Sequence, residues 1–222
     1  MPQLLRFKEE IMKRFVKGIA CAVLAAAVLG GCGQKAELDT TSVYIRKDGT
    51  VASAVYEEFD TKTYDKDDLK VFVEDAVSAY NQKYAGTAGV YTKDAAEPLS
   101  AAVTSLDFED GNAVLKMEYA SCEDYMQFNE SEGSLVQLAS GTVSGAKEAG
   151  IDMSSFELLN SEGTDKINGG DVDDGYHVVF AEGTSAIVVE GSILYATADV
   201  KIEDKNTVQI ASEGTLSCIV FK

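Results

Sequence analysis

The chain has 222 residues, with 37 acidic side chains against 19 basic ones and a net charge of −18. That balance leaves no basic stripe to neutralise phosphates and argues strongly against a nucleic-acid partner. A single histidine, four cysteines and no Cys pair at ligand spacing exclude a zinc centre.

The first element in chain order is the stretch VKGIACAVLAAAVLGGCGQ, residues 16–34. Its apolar run, Ile19 to Leu29, covers eleven residues, well short of the roughly 20 that span a bilayer as a helix. Lys13, Arg14 and Lys17 precede the run and Gly30 and Gly31 close it, the layout of a secretory signal peptide. A core helix fits poorly, because residues 21–33 offer no polar face, and no basic stop-transfer cluster follows that would mark a single-pass anchor. Leu29-Gly30-Gly31-Cys32 resembles the lipobox of bacterial lipoproteins. The resemblance implies that Cys32 receives a diacylglycerol and further acyl chains such as palmitate, and that residues 1–31 are removed. It also implies a mature chain held on the outer face of the cell membrane. Counted from Met12 the signal is a compact 20 residues. Residues 1–11, with Glu9 and Glu10, read as a start-site overrun.

Loss of residues 1–31 takes away five of the 19 basic and two of the 37 acidic residues, so the mature chain carries a net charge of −21. About 190 residues suffice for one domain or two small ones with a sizeable core. With no polybasic segment to grip anionic lipid, the acyl chains alone hold the membrane. The acidic surface suits solubility, with an affinity for divalent cations or basic peptides as the sharper alternative. Cys21 leaves with the signal, Cys32 is acylated, and Cys122 and Cys218 remain. Outside the cytoplasm these two can form a disulfide or stay as buried thiols; the sequence leaves both open.

After Cys32 a tether of ten residues, GQKAELDTTS (33–42), reaches at most about 35 Å, which keeps the folded part close to the membrane. Two β-prone runs around Asp48-Gly49 predict a hairpin over 43–59. Leu69, Phe72, Val73, Ala76, Val77, Tyr80 and Tyr84 recur at helical spacing, with Asp65 placed as the cap, and predict a helix over 66–84. A second hairpin is expected over 102–120 around Asp110-Gly111, followed by a short helix from a Ser121/Asp124 capping box to Phe128. SLVQLA (134–139) reads as a strand, and Thr142 as the N-cap of a two-turn helix stopped by Gly150.

Beyond a polar loop (160–175), the runs YHVVFA, SAIVVE, SILYAT, DVKIE, TVQIA and LSCIVFK read as six short strands. The expected fold class is α+β. Antiparallel hairpins with two or three helices, in ββα-like units, occupy 43–160. A β-rich half (161–222), a meander, sandwich or barrel, packs with them.

Several constellations could carry chemistry. Ser144-Gly145-Ala146-Lys147 matches the S-x-x-K pattern of exported penicillin-binding enzymes, but their S-D-N and K-T-G partners are absent, so the pattern reads as a surface helix turn. Cys122 and His177 form the one conceivable Cys–His pair, although His177 opens an alternating β run. In DKINGGDVDDGYH, Asp165, Asn168, Asp171, Asp173 and Asp174 make a weak calcium candidate, without EF-hand register. Such clusters are more often turns. Tyr44, Tyr56, Tyr80, Tyr84, Tyr119 and Tyr125 fall within hairpins and helices and are expected to be semi-core.

Beyond the lipobox the chain is similar to small uncharacterised surface lipoproteins of Gram-positive anaerobes, a likeness that transfers no activity. The expectation is a membrane-anchored module that binds or scaffolds, with a protein or small-ligand partner at the cell surface and no cofactor. A cell-surface hydrolase built on a carboxylate pair, which leaves no short motif, and a calcium-dependent surface domain are the alternatives.

Overall fold

Aspartate, serine and threonine caps and Asp-Gly turns set the helices and hairpins where the sequence places them. The structure, a computed structural model, describes residues 38–92, 99–129 and 134–222. The signal segment 1–31 and Cys32 lie outside the described residues. The fold is mixed α and β, with mostly antiparallel strands along an open path, so that of the expected meander, sandwich or barrel the barrel is not formed. The described residues divide into two compact units, the first containing 38–42 and Ser53–Glu118, the second containing Val43–Ala52 and Tyr119–Lys222. The division falls at residue 119 and inside the first hairpin, and the polar loop at 160–175 lies within the second unit. Among the described residues no helix is long and apolar enough to cross a membrane.

In the first unit, helix α1 (Lys66–Tyr84) starts at Asp65, whose carboxylate accepts from the amides of Asp67 at 2.8 Å and Asp68 at 3.3 Å. Its buried row is Leu69, Val73, Val77 and Asn81, spaced four apart, so the fourth member of an apolar stripe is an amide. Asn81 is completely buried. Its Nδ2 donates to the carbonyls of Gly89 (2.7 Å) and Ala101 (2.6 Å), and its Oδ1 accepts from the Ala101 amide at 3.0 Å. Its own carbonyl accepts from Ala85 and Thr87 as the helix ends. One side chain thus satisfies the backbone of the segment leaving the helix and of the first residue of β3 (Ala101–Glu109). Strands β3, β4 (Asn112–Tyr119) and β2 (Val51–Glu58) lie side by side in that order. The β3–β4 turn is Asp110-Gly111, both at positive φ (50° and 80°). Tyr84, expected as semi-core, is 46% exposed. Its ring lies 4.6 Å from that of Tyr80, under the Lys83 ammonium.

The second unit is organised by two long strands, β8 (His177–Val189) and β11 (Thr207–Phe221), each expected as two short ones. They pair antiparallel from Thr207↔Val188 to Phe221↔His177, with a register shift between Ser212 and Ser217. The other edge of β8 is shared end to end by β5 (Leu135–Thr142), antiparallel, and β1 (Ser42–Ile45), parallel. The other edge of β11 is shared by β9 (Ile193–Thr197) and β10 (Lys201–Ile202). β6 (Glu157–Asn160) follows β9, and β7 (Lys166–Asn168) ends the path inside what reads as a loop.

At the register shift, Ser212 and Ser217 are buried; Ser217 Oγ donates to Asp199 Oδ2 at 2.5 Å and lies 3.0 Å from Ser212 Oγ. Opposite, Gly183 has φ +120°, and a Cβ there would lie 2.1 Å from the Ser134 carbonyl. β5 approaches β8 only because residue 183 has no side chain.

Helix α2 (Cys122–Phe128) is capped by Ser121 Oγ, which accepts from the Asp124 amide at 3.0 Å and donates to its carboxylate at 2.7 Å. Helix α3 (Val143–Glu148) is capped by Thr142, and Gly150, at φ 87°, closes it. Val143 and Ala146 pack with Met153, Leu158, Val172, Val178, Phe180, Cys218 and Val220 in one buried cluster.

Replacing Asn81 with alanine strands the buried N–H and carbonyl of Ala101 and the partly buried carbonyl of Gly89. Asn81→Ala is expected to cost about 2–4 kcal/mol, against less than about 0.5 kcal/mol for a change at exposed Asp75. Urea unfolding measures both.

Candidate functional site

The two thiols sit on opposite sides of the second unit's sheet. Cys218 stands across from Phe180 and Phe180 across from Ala139, so these three share a face. Ser140 takes the other face, as neighbours on a strand alternate, and there Cys122 Sγ lies 3.2 Å from Ser140 Oγ. Both cysteines are buried and free. The disulfide alternative is not realised, since the strands separate the two sulfurs. At the first position of α2 a thiol would ordinarily be acidified. Here burial outweighs the Ser140 bond and the helix amide, and the Cys122 thiol is pushed up. Cys218 is pushed up to about 12, by burial first and Asp199 second. Neither is poised as a nucleophile.

His177 sits at the start of β8 with its ring 5.3 Å from that of Phe221. Burial first, and then the Lys47 ammonium, hold it below its ordinary value, with Glu190 opposing. Ser144 Oγ donates to Glu148 Oε1 at 3.3 Å, whereas Lys147 Nζ pairs with Asp174 Oδ1 at 2.7 Å. The serine and lysine of the S-x-x-K pattern are therefore turned to different partners.

The calcium candidates are spread over separate turns. Asp165 Oδ2 accepts from Asn160 Nδ2 at 3.3 Å, and Asn168 caps a 3₁₀ turn, its Oδ1 accepting from the Gly170 amide at 2.9 Å. Asp171 is exposed in that turn. Asp173 accepts from the Gly175 amide at 2.8 Å and Asp174 from Lys147. Among the described residues no three His, Cys, Asp or Glu side chains are grouped to hold a metal ion. Of the tyrosines, Tyr44, Tyr119 and Tyr125 are buried and Tyr56 and Tyr80 half-buried, so with the exception of Tyr84 they serve the core.

One carboxylate departs from the rest. Glu57 lies on β2, on the inward side shared with Ser53 and Phe59, and is half-buried. Its Oε1 has no hydrogen-bond partner, and burial alone pushes its carboxyl above the usual carboxylate range. A two-carboxylate hydrolase needs a second acid close by, and no neighbouring charge contributes to the Glu57 shift. Glu57 belongs to no motif, and the signal the sequence offers for it is the period-2 pattern of β2, since 53, 57 and 59 fall on one side.

Comparison with protein-family models, with curated proteins and with solved structures finds no match.

Because the raised pKa means that the folded chain binds the Glu57 proton more tightly than the unfolded one, its favourable contribution exists below the ordinary value of 4.5 and is lost as pH rises through the folded value. Glu57→Gln is therefore expected to melt above the wild type at pH about 7.5, with the gap closing towards pH 4.5. A thermal melt series across pH reads it. A lower melting temperature for the variant at neutral pH would contradict the assignment.

Proposed function

We propose that this protein is a lipid-anchored module on the outer face of a bacterial cell membrane and acts by binding or scaffolding. One observation carries the reading: Lys13, Arg14 and Lys17, the apolar run 19–29 and Leu29-Gly30-Gly31-Cys32 follow one another in the order of a lipoprotein signal. Cys32 is the residue that bears the diacylglycerol and acyl chains. The partner is a protein or small ligand at the cell surface.

The start of the fold supports a short leash. Leu38 is buried and its carbonyl accepts from Tyr56 Oη at 2.7 Å. Residues 33–37 alone then separate the lipidated cysteine from a fixed point, a reach of at most about 20 Å when fully extended. This is shorter than the ten-residue tether suggested by the strand pattern, and a domain held so close meets partners at the membrane face. Binding is favoured over hydrolysis because Glu57, the described carboxylate raised by burial, stands without a second acid.

Expression in a bacterial host tests the anchor. The wild type is expected in the detergent phase of a Triton X-114 partition, with mass spectrometry finding a diacylglyceryl Cys32 as the first residue. Cys32→Ser is expected to lose both the modification and cleavage after Gly31. A wild-type chain that keeps residues 12–31 and carries no lipid would contradict the proposal.

A further inference from the structure

Free sheet edges invite pairing with other chains, and natural sheets protect them with short strands, charges, prolines or covering segments. Three edges here follow that rule. β7 spans three residues and carries Lys166, paired with Glu157 at 2.5 Å. β10 spans two and carries Lys201, paired with Glu203 at 2.8 Å. β3 carries Asp107 and Glu109 and is bridged at Val103 by Tyr91.

β5 breaks the rule. It is eight residues long, has neither charge nor proline, and pairs only with β8 among the described residues. It lies within residues 133–146, at 14 residues the longest uncharged run after Cys32. Five of its eight residues are exposed, and Val136 is 64% exposed.

The hydrogen-bond phase shows what this edge offers. The Val143 amide donates to the Tyr176 carbonyl at 2.8 Å, in the same register as Gly141↔Val178 and Ala139↔Phe180. Bonded pairs alternate along an antiparallel ladder. Ala139 and Gly141 therefore turn N–H and C=O towards β8, while Leu138 and Ser140 turn theirs outwards, where no described strand takes them. Acids neighbour this neutral strand in pairing and in sequence. Glu182 is opposite Gln137, and its Oε1 accepts from the Gly214 amide of β11 at 3.0 Å. Glu123 follows Cys122, whose sulfur touches Ser140, and Glu148 accepts from Ser144 just past the strand.

We propose that the outer edge of β5 is a docking strand for an extended, positively charged peptide segment of another protein. Backbone bonds to Leu138 and Ser140 supply affinity, as in strand addition generally, and the net negative charge of the chain selects cationic segments. A chain of net charge −18 repels its own copies and attracts basic ones, which places a basic partner ahead of a second copy. The inference rests on the reading of this protein as a binding module. Anchoring is measured separately by detergent partition, so failure of docking leaves that result standing.

The test uses the full chain at low salt and fluorescence anisotropy with two labelled peptides, KVTVKVTVK and EVTVEVTVE. Ser140→Pro removes an outward amide and leaves the β8 ladder intact, since proline is tolerated where the N–H faces away from the sheet. The basic peptide is expected to bind about tenfold or more tighter than the acidic one, and about tenfold or more weaker to Ser140→Pro, whereas Ser140→Ala binds within about twofold of wild type. Should Ser140→Pro lose its cooperative melt, the basic peptide N-methylated at alternate residues removes the same bonds from the other side and is expected to weaken equally. Equal binding of both peptides, no binding of either, or basic-peptide binding indifferent to both changes would overturn the proposal. A dimer in sedimentation that Ser140→Pro abolishes would also overturn it and give the edge to a second copy.

Discussion

Strand β8 has hydrogen-bonded neighbours on both edges along nearly its whole length, and the second unit follows from that constraint. β11 occupies one edge and β5 and β1 divide the other. Edge pairing satisfies its backbone, and packing on the faces buries its side chains: Val178 and Phe180 join the cluster of Val143, Ala146, Met153 and Leu158, and Val179 and Ala181 are buried as well. Where β11 slips register at Ser212 and Ser217, β8 carries Gly183 at positive φ, and β5 passes against its backbone. The buried hydroxyls of Ser212 and Ser217 at the slip are satisfied by each other and by Asp199.

Local structure was legible where one short pattern decides it. Both Asp-Gly hairpins formed, α1 spans residues 66–84 as read, and Asp65, Ser121, Thr142 and Gly150 act as the expected caps. What the residues alone did not reveal depends on pairing at a distance. Glu182-Gly183-Thr184 reads as a turn between two runs, and becomes the middle of one strand because β11 and β5 hold it extended from both sides. SEGT (212–215) reads as a break between two runs and lies in a register shift of one continuous strand. Lys166–Asn168 lies in a polar loop by composition and forms a strand only because β6 is beside it. Asn81 looks like an unremarkable polar residue near a helix end; its burial becomes visible only once Gly89 and Ala101 fold back over it.

The candidate chemistry dispersed for the same reason. Cys122, His177, Ser144 and the Asp/Asn loop were nominated by residue type, and type says nothing about direction. In the fold the thiols point to opposite faces, Lys147 turns to Asp174, and the loop aspartates are spent on their own turns. Two features invisible to motif reading stand out instead: an unpaired carboxylate at Glu57, and a long neutral strand edge on a strongly acidic chain. The second is the feature on which the docking proposal rests.

Amide hydrogen exchange by NMR, read residue by residue along β5, tests most directly the claim that β8 orders this unit and leaves β5 with one open edge. The account predicts alternation: the Ala139 and Gly141 amides, bonded to β8, exchange slowly, while those of Leu138 and Ser140 exchange at rates close to those of exposed backbone. Uniform protection across 138–141 would show the outer edge already covered and contradict the account. Uniform fast exchange would show that β5 is not held by β8 at all.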